Sequence, residues 1–210
     1  MDELDVLKKE WQAREHDLPK FTYKDIYPML LKKSSSMVKW IFYISIAEMI
    51  LWTSLYFLVP ESTKTFQDLM GLSEIFLIAN IVNYLVVFVF IYFFYKNYQS
   101  IQVTNSVKAL MANILKTRKT VHYFVYYNIG LAAVLMFATN VYYYFNKEKL
   151  HQLLERDDLF AAVPVETFIG LNIAVGLGLI AFLMLFYWLI YGLLLRKLKK
   201  NYKELKKIEI

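Results

Sequence analysis

Residues 40–59 read WIFYISIAEMILWTSLYFLV, twenty residues of which only Glu48 carries an acid or base. As a helix rising about 1.5 Å per residue, such a run covers about 30 Å of hydrocarbon. It is too long and too uniformly apolar for a barrel strand. Lipid offers the backbone no water to bond, so a helix is the state expected. Three more runs of this kind follow at residues 75–95, 121–145 and 168–195. The last is long enough to tilt, or to continue past the hydrocarbon. The expected fold is all-α: a polytopic membrane protein with four transmembrane helices in a bundle.

The charges between the runs predict its orientation. Of the 24 Lys and Arg residues, eight precede the first run, five separate the second from the third, and seven follow the fourth. The other two connections share the remaining four. A bias of twenty to four places both termini and the middle connection in the cytoplasm, as expected of a multi-pass protein of a bacterial inner membrane. Trp40 and Trp188 near inner ends, and the Tyr142–Tyr144 triplet near an outer end, fit interfacial anchors. The abundant Tyr and Phe are expected to serve that belt and the bundle core. Residues 1–15 are of mixed charge and no apolar core precedes Lys39, so the first span is expected to stay as an uncleaved anchor.

Three regions are thus expected: a cytoplasmic amphipathic segment over residues 1–37, a transmembrane domain over 38–196, and a basic cytoplasmic tail over 197–210. Leu4, Leu7 and Trp11 share one helical face, and Pro19 ends that segment. Pro28 should start or kink a second one, with Thr22 and Asp25 as candidate caps. Val107, Leu110, Met111, Ile114 and Leu115 follow helical spacing within the connection 96–120, with Asn105 or Ser106 as a cap. The third helix should therefore extend into the cytoplasm from near Ser106. Residues 106–119 and the N-terminal segment are the expected surface for a protein partner or for self-association, with intramolecular packing the plainer role of that stripe. On the outer side, Asn146 should cap a short helix ending near Glu155, with Leu150, Leu153 and Leu154 turned to the membrane. Asp157, Asp158 and Glu166 read as a solvated acidic loop rather than a cation site.

The polar residues inside the runs are the candidate functional ones. Glu48 lies mid-span, where a charge must be neutralised, hydrated or paired. Counting along each helix puts Asn83 and Asn128 within about one turn of its depth. Asn80, Asn140 and Asn172 form a second layer nearer the outer surface. All six should point inward and exchange hydrogen bonds, worth roughly 0.5–2 kcal/mol each. Structural glue is the plain role for them, and proton or substrate binding at Glu48 the sharper one. Gly170, Ala174 and Gly178 recur every four residues, a ridge suited to close helix packing.

Chemistry is otherwise scarce. The absence of Cys removes disulfides, thiol nucleophiles and thiolate metal sites. Three histidines (His16, His122, His151) fall in different regions, so no metal or other cofactor is expected. No P-loop, GxGxxG, HExxH or GxSxG pattern occurs in a suitable context, and no catalytic residue is expected. The basic residues flank apolar spans, which argues against nucleic acid as a partner.

The stretches MDELDVLKKEWQ (1–12), KKSSSMVKWIFYISIAEMILW (32–52) and SVKALMANILKTRKTVHYF (106–124) together resemble a group of uncharacterised four-span membrane proteins of flavobacteria and other Bacteroidetes. The likeness covers nearly the whole chain, through packing and interface sequences that carry no chemistry. It implies an association with an extracytoplasmic-function sigma factor, as a membrane partner or regulator, although no zinc-binding anti-sigma motif is present. Some similar proteins bear the label of carotene-cleaving oxygenase. That activity is not expected here, because such enzymes of the propeller type hold iron with four His. Glu48 alone is similar to the glutamate in the first span of small multidrug-resistance exporters, which are much shorter chains. The expected function is a non-catalytic interaction or regulatory subunit acting through its cytoplasmic face. The alternative is a small proton-coupled carrier that uses Glu48.

Overall fold

Each apolar run is carried by a helix longer than the run itself, and the first of these stops at Phe57, two residues short of the run's end. The computed structural model describes residues 23–156 and 160–208, so the expected amphipathic helix around Trp11 lies outside the described residues, as does His16. Six helices are present among them: α1 Tyr23–Phe57, α2 Glu61–Met70, α3 Ser73–Gln102, α4 Val107–Phe145, α5 Lys147–Leu154 and α6 Val165–Ile208. α1, α3, α4 and α6 are long and apolar enough to cross a membrane. They form a four-helix bundle in which α1 packs on α3, α3 on α4, α4 on α6 and α6 back on α1. The α4–α6 pair is the most extensive.

The helices reach well past the hydrocarbon at one end. α4 and α6 have 39 and 44 residues, which is about 58 and 66 Å of helix against about 30 Å of apolar bilayer. We call this the basic end, since it carries Lys32, Lys33 and the lysines of residues 196–207. Helix α1 runs through Pro28 without interruption and is continuous with the first span. Ser106 caps α4 by accepting the Ala109 N–H at 3.2 Å, as the sequence pattern predicts. Leu30, Met37 and Val38 of α1, Val107, Leu110 and Ile114 of α4, and Leu198 and Leu205 of α6 then close one buried core. Four of the five stripe residues of α4, Val107, Leu110, Met111 and Ile114, are therefore occupied within the chain, and Leu115 stays exposed. Polar cross-links secure this end: Tyr27 donates to the Thr104 carbonyl (2.8 Å), Asn113 to the Thr104 hydroxyl (2.9 Å), and Asn201 to the Ser34 hydroxyl (3.1 Å).

The opposite end has a cap that was only half expected. Residues 61–70 form a helix, α2, on which the sequence reading placed no element. It stops at Gly71, whose φ of 79° is the left-handed conformation that favours glycine. The Gly71 and Leu72 N–H groups then return to the Asp68 and Gln67 carbonyls. Leu150 and Leu154 of α5 do not face the membrane as expected. They are buried against Met70, Leu72, Tyr143 and Val165, because α2 supplies a protein surface for them. Asn146 forms no N-cap bond for α5, and its amide donates back to the Tyr142 carbonyl at 2.9 Å.

Between the basic-end core and the cap the bundle is loosely filled. Within residues 49–57, 73–86, 125–139 and 166–182 no side chain is fully buried. The four helices stand apart there around a groove, and Glu48 lies in a small cavity adjoining it.

Candidate functional site

Glu48 is the one buried acid in the described bundle, 5% exposed. Two phenols of α6 hold it. Tyr187 donates its hydroxyl to one carboxyl oxygen, and Tyr191 donates to the other at 3.0 Å. Residues four apart on a helix share a face, so one stretch of α6 aims both hydroxyls at α1. Both rings are nearly inaccessible to solvent. Phe124 of α4 packs edge-on to each, with centroids 6.3 and 5.9 Å away. Aromatic packing thus fixes the donors, and the donors fix the carboxyl. Among the described residues no Lys, Arg or His forms an ion pair with Glu48.

A small cavity of about 30 Å³ lies beside the carboxyl, lined by Ser45, Glu48, Trp52, Asn83, Tyr84 and Asn128 among others. That is room for a water or two with several polar partners. Trp52, Asn83, Tyr84 and Asn128 also line a larger groove of about 530 Å³ that runs on toward the cap, past Asn80, Thr139 and Asn172. All four membrane-crossing helices contribute to it. The wall combines aromatic faces, amides and aliphatic side chains; Glu48 does not line it but lines the small cavity that shares four of its residues.

The two polar layers expected from the sequence are partly assembled. Glu48, Asn83 and Asn128 surround one cavity, and Asn80 and Asn172 line the groove above it. Asn140 does not join them. It is buried on the other side of α4, donating to the Met136 carbonyl at 2.8 Å, and its Oδ1 has no partner. The expected exchange of hydrogen bonds among the six is also not formed. Asn128 donates to the Phe124 carbonyl of its own helix (2.8 Å), and Asn83 accepts from Tyr127 (3.3 Å). A short amide reaches its own preceding turn more easily than a neighbouring helix across a groove.

The ridge of Gly170, Ala174 and Gly178 faces outward, with open space where a Cβ would stand at Gly170 and Gly178. Gly176 occupies the packing face instead, and a Cβ there would collide with the Met136 side chain. Tyr187 and Tyr191 were missed by sequence reasoning. Their signal was a pair of hydroxyl-bearing rings, four residues apart, well inside a span rather than at its edge. Buried tyrosines need a partner for the hydroxyl.

The remaining candidates stay apart from this site. The His122 ring bonds the Arg118 carbonyl on an exposed face (2.7 Å), and His151 lies 3.3 Å from Glu155 on α5. Glu166 pairs with Lys147 at 3.1 Å, while Asp157 and Asp158 lie outside the described residues. No group of three or more metal-ligating side chains is gathered among the described residues.

A protein-family model described as "Domain of unknown function (DUF8845)" matches residues 24–210, and the chain belongs to that family. No curated protein and no solved structure matches it.

Proposed function

We propose that this member of the DUF8845 family is a non-catalytic membrane protein that binds a small organic cation, or a proton in its place, at Glu48, and works as a small proton-linked carrier. The observation that carries the reading is a buried carboxyl with phenol donors but no basic partner, in a small cavity that shares Trp52, Asn83, Tyr84 and Asn128 with a groove between four helices. A carboxylate in a low-dielectric site requires a countercharge. A proton and a cationic solute each supply one, and only one of them fits at a time. That exclusion is the elementary form of proton coupling. Trp52 and Tyr84 add aromatic faces of the kind that attract organic cations. The likeness of Glu48 to the first-span glutamate of small multidrug-resistance exporters points the same way. In this reading the basic end and both termini face the cytoplasm of a bacterial inner membrane, and the groove lies on the outer side of Glu48, toward the α2–α5 cap.

The test uses tetraphenylphosphonium as the probe, with the full-length protein in detergent and then in vesicles. Binding should release protons, and Glu48→Gln should abolish both the binding and any proton-dependent uptake while the protein still accumulates in the membrane. Undiminished binding in Glu48→Gln would sink the carrier reading.

A second reading is a regulatory or accessory subunit that engages a protein partner through the basic end. It is favoured by helices that continue far beyond the hydrocarbon as a packed, lysine-rich stalk. The sigma-factor association implied by the sequence resemblance belongs to this reading. Because Val107, Leu110, Met111 and Ile114 are buried within the chain, a partner would meet charged outer faces or residues 1–22 rather than that stripe. Co-purification of a partner that is lost on deleting residues 1–18, with Glu48→Gln neutral, would favour it over the carrier.

A further inference from the structure

A second recess lies at the basic end, between α1 and α6, away from Glu48. Lys32 and Lys33 on α1 and Lys197 and Lys200 on α6 converge on it, with Ser36 and Trp40 on the α1 wall. Its volume of about 860 Å³ falls within the range of small-molecule sites. The Asn201–Ser34 hydrogen bond ties α1 to α6 beside it, and buried Met37 and Asn201 line its floor, so both walls belong to well-packed helices.

Four ammonium groups around one recess repel one another unless an anion lies among them. Among the described residues none of the four forms an ion pair, and Glu204, one turn beyond Lys200, is not within ion-pair distance of any of them. The recess also has an apolar side. Met29, Trp40 and Leu194 line it, and Met29 and Trp40 are largely exposed. Trp40 opens the first apolar run, and Arg196 stacks over Trp188 at 4.9 Å on the neighbouring turns of α6. Aromatic and basic side chains meet in this way at the level of lipid headgroups. A soluble anion would use the lysines and leave the apolar side wet. A phospholipid uses both, with its phosphate among the ammonium groups and its acyl chains along the exposed apolar faces of α1 and α6.

We propose that this recess binds the headgroup of an anionic phospholipid in the leaflet that meets the basic end. Basic pockets between membrane helices are suited to such headgroups. The site is independent of Glu48 and of any carrier activity.

The test is lipid selectivity of the full-length protein in vesicles of phosphatidylcholine alone or with phosphatidylglycerol. Spin-labelled phosphatidylglycerol should associate with the protein more strongly than spin-labelled phosphatidylcholine. Replacing Lys32, Lys33, Lys197 and Lys200 with Gln should remove that preference, with affinity falling about fivefold per lysine. A charge-matched variant with Gln at Lys108, Lys119, Lys203 and Lys207, which do not line the recess, should keep it. The proposal is overturned by equal loss in both variants, which would mark a diffuse surface potential. Competition by millimolar inorganic phosphate would overturn it too, by showing a soluble-anion site. Absence of any phosphatidylglycerol preference in the unmodified protein overturns it without recourse to variants.

Discussion

Glu48 is held by bonds that can be removed one at a time. Tyr191→Phe deletes a single hydroxyl and leaves one carboxyl oxygen without its donor, which in a buried setting costs about 1–3 kcal/mol. The expected result is a loss of that size in unfolding by denaturing detergent, with weaker binding of the cationic probe. Glu48→Gln keeps one acceptor but turns an amide donor toward a phenol donor, so it should be destabilising by a comparable amount. The double variant should cost less than the sum of the two, by roughly 0.5–2 kcal/mol, because each removes the same contact. Strict additivity would show that the contact contributes nothing. Glu48 was legible in the sequence because a mid-span acid must be neutralised, hydrated or paired. Its partners were not, since Tyr187 and Tyr191 are two of 17 tyrosines, most of them suited to interfaces or core. Only their depth in the span and their spacing distinguish them.

At the level of elements, periodicity was a good guide to where helices run and a poor guide to which face packs. The stripe over residues 107–115 and the Ser106 cap foretold α4, because amphipathic spacing outside the membrane reports burial directly. Inside the membrane both faces are apolar, so small residues were the remaining clue, and the ridge they form lies off the packing face within the chain. Gly170, Ala174 and Gly178 look outward while Gly176 meets Met136. Gly176→Leu should therefore overpack the α4–α6 interface and destabilise the bundle by about 1–3 kcal/mol. Gly170→Leu and Gly178→Leu, at open positions, should leave monomer stability unchanged. Shortening the opposing side chain in Gly176→Leu with Met136→Ala should restore much of the loss, since flexible Met136 is what the new side chain strikes. If Gly176→Leu unfolds at the same detergent concentration as the unmodified protein, α4 and α6 do not meet at this point. Helix α2 escaped the sequence reading for another reason: its apolar residues Phe66 and Met70 form too short a pattern to register, and they matter only because α5 docks on them.

For the molecule as a whole, packing is graded along the membrane normal: dense at the basic end, open in the middle, closed again by the α2–α5 cap. Four helix segments are left without one fully buried side chain, while an acid is buried at their inner end. That arrangement has a direction, and the direction matters to function. If the basic end is cytoplasmic, as the lysine distribution predicts, the groove above Glu48 lies toward the other side of the membrane and the lysine-lined recess meets the inner leaflet. The absence of cysteine makes this measurable with single introduced thiols. Ser62→Cys lies on an exposed face of α2 at the cap, and Ser36→Cys on an exposed face of α1 at the basic end. In intact cells a membrane-impermeant maleimide should label Ser62→Cys at once, and Ser36→Cys only after the membrane is permeabilised. The opposite pattern would reverse the bundle. The groove would then lie on the cytoplasmic side of Glu48, and the recess would have to find its anionic lipid in the outer leaflet. Equal labelling of both sites in intact cells would mean mixed insertion, and the charge bias would have failed to set the orientation.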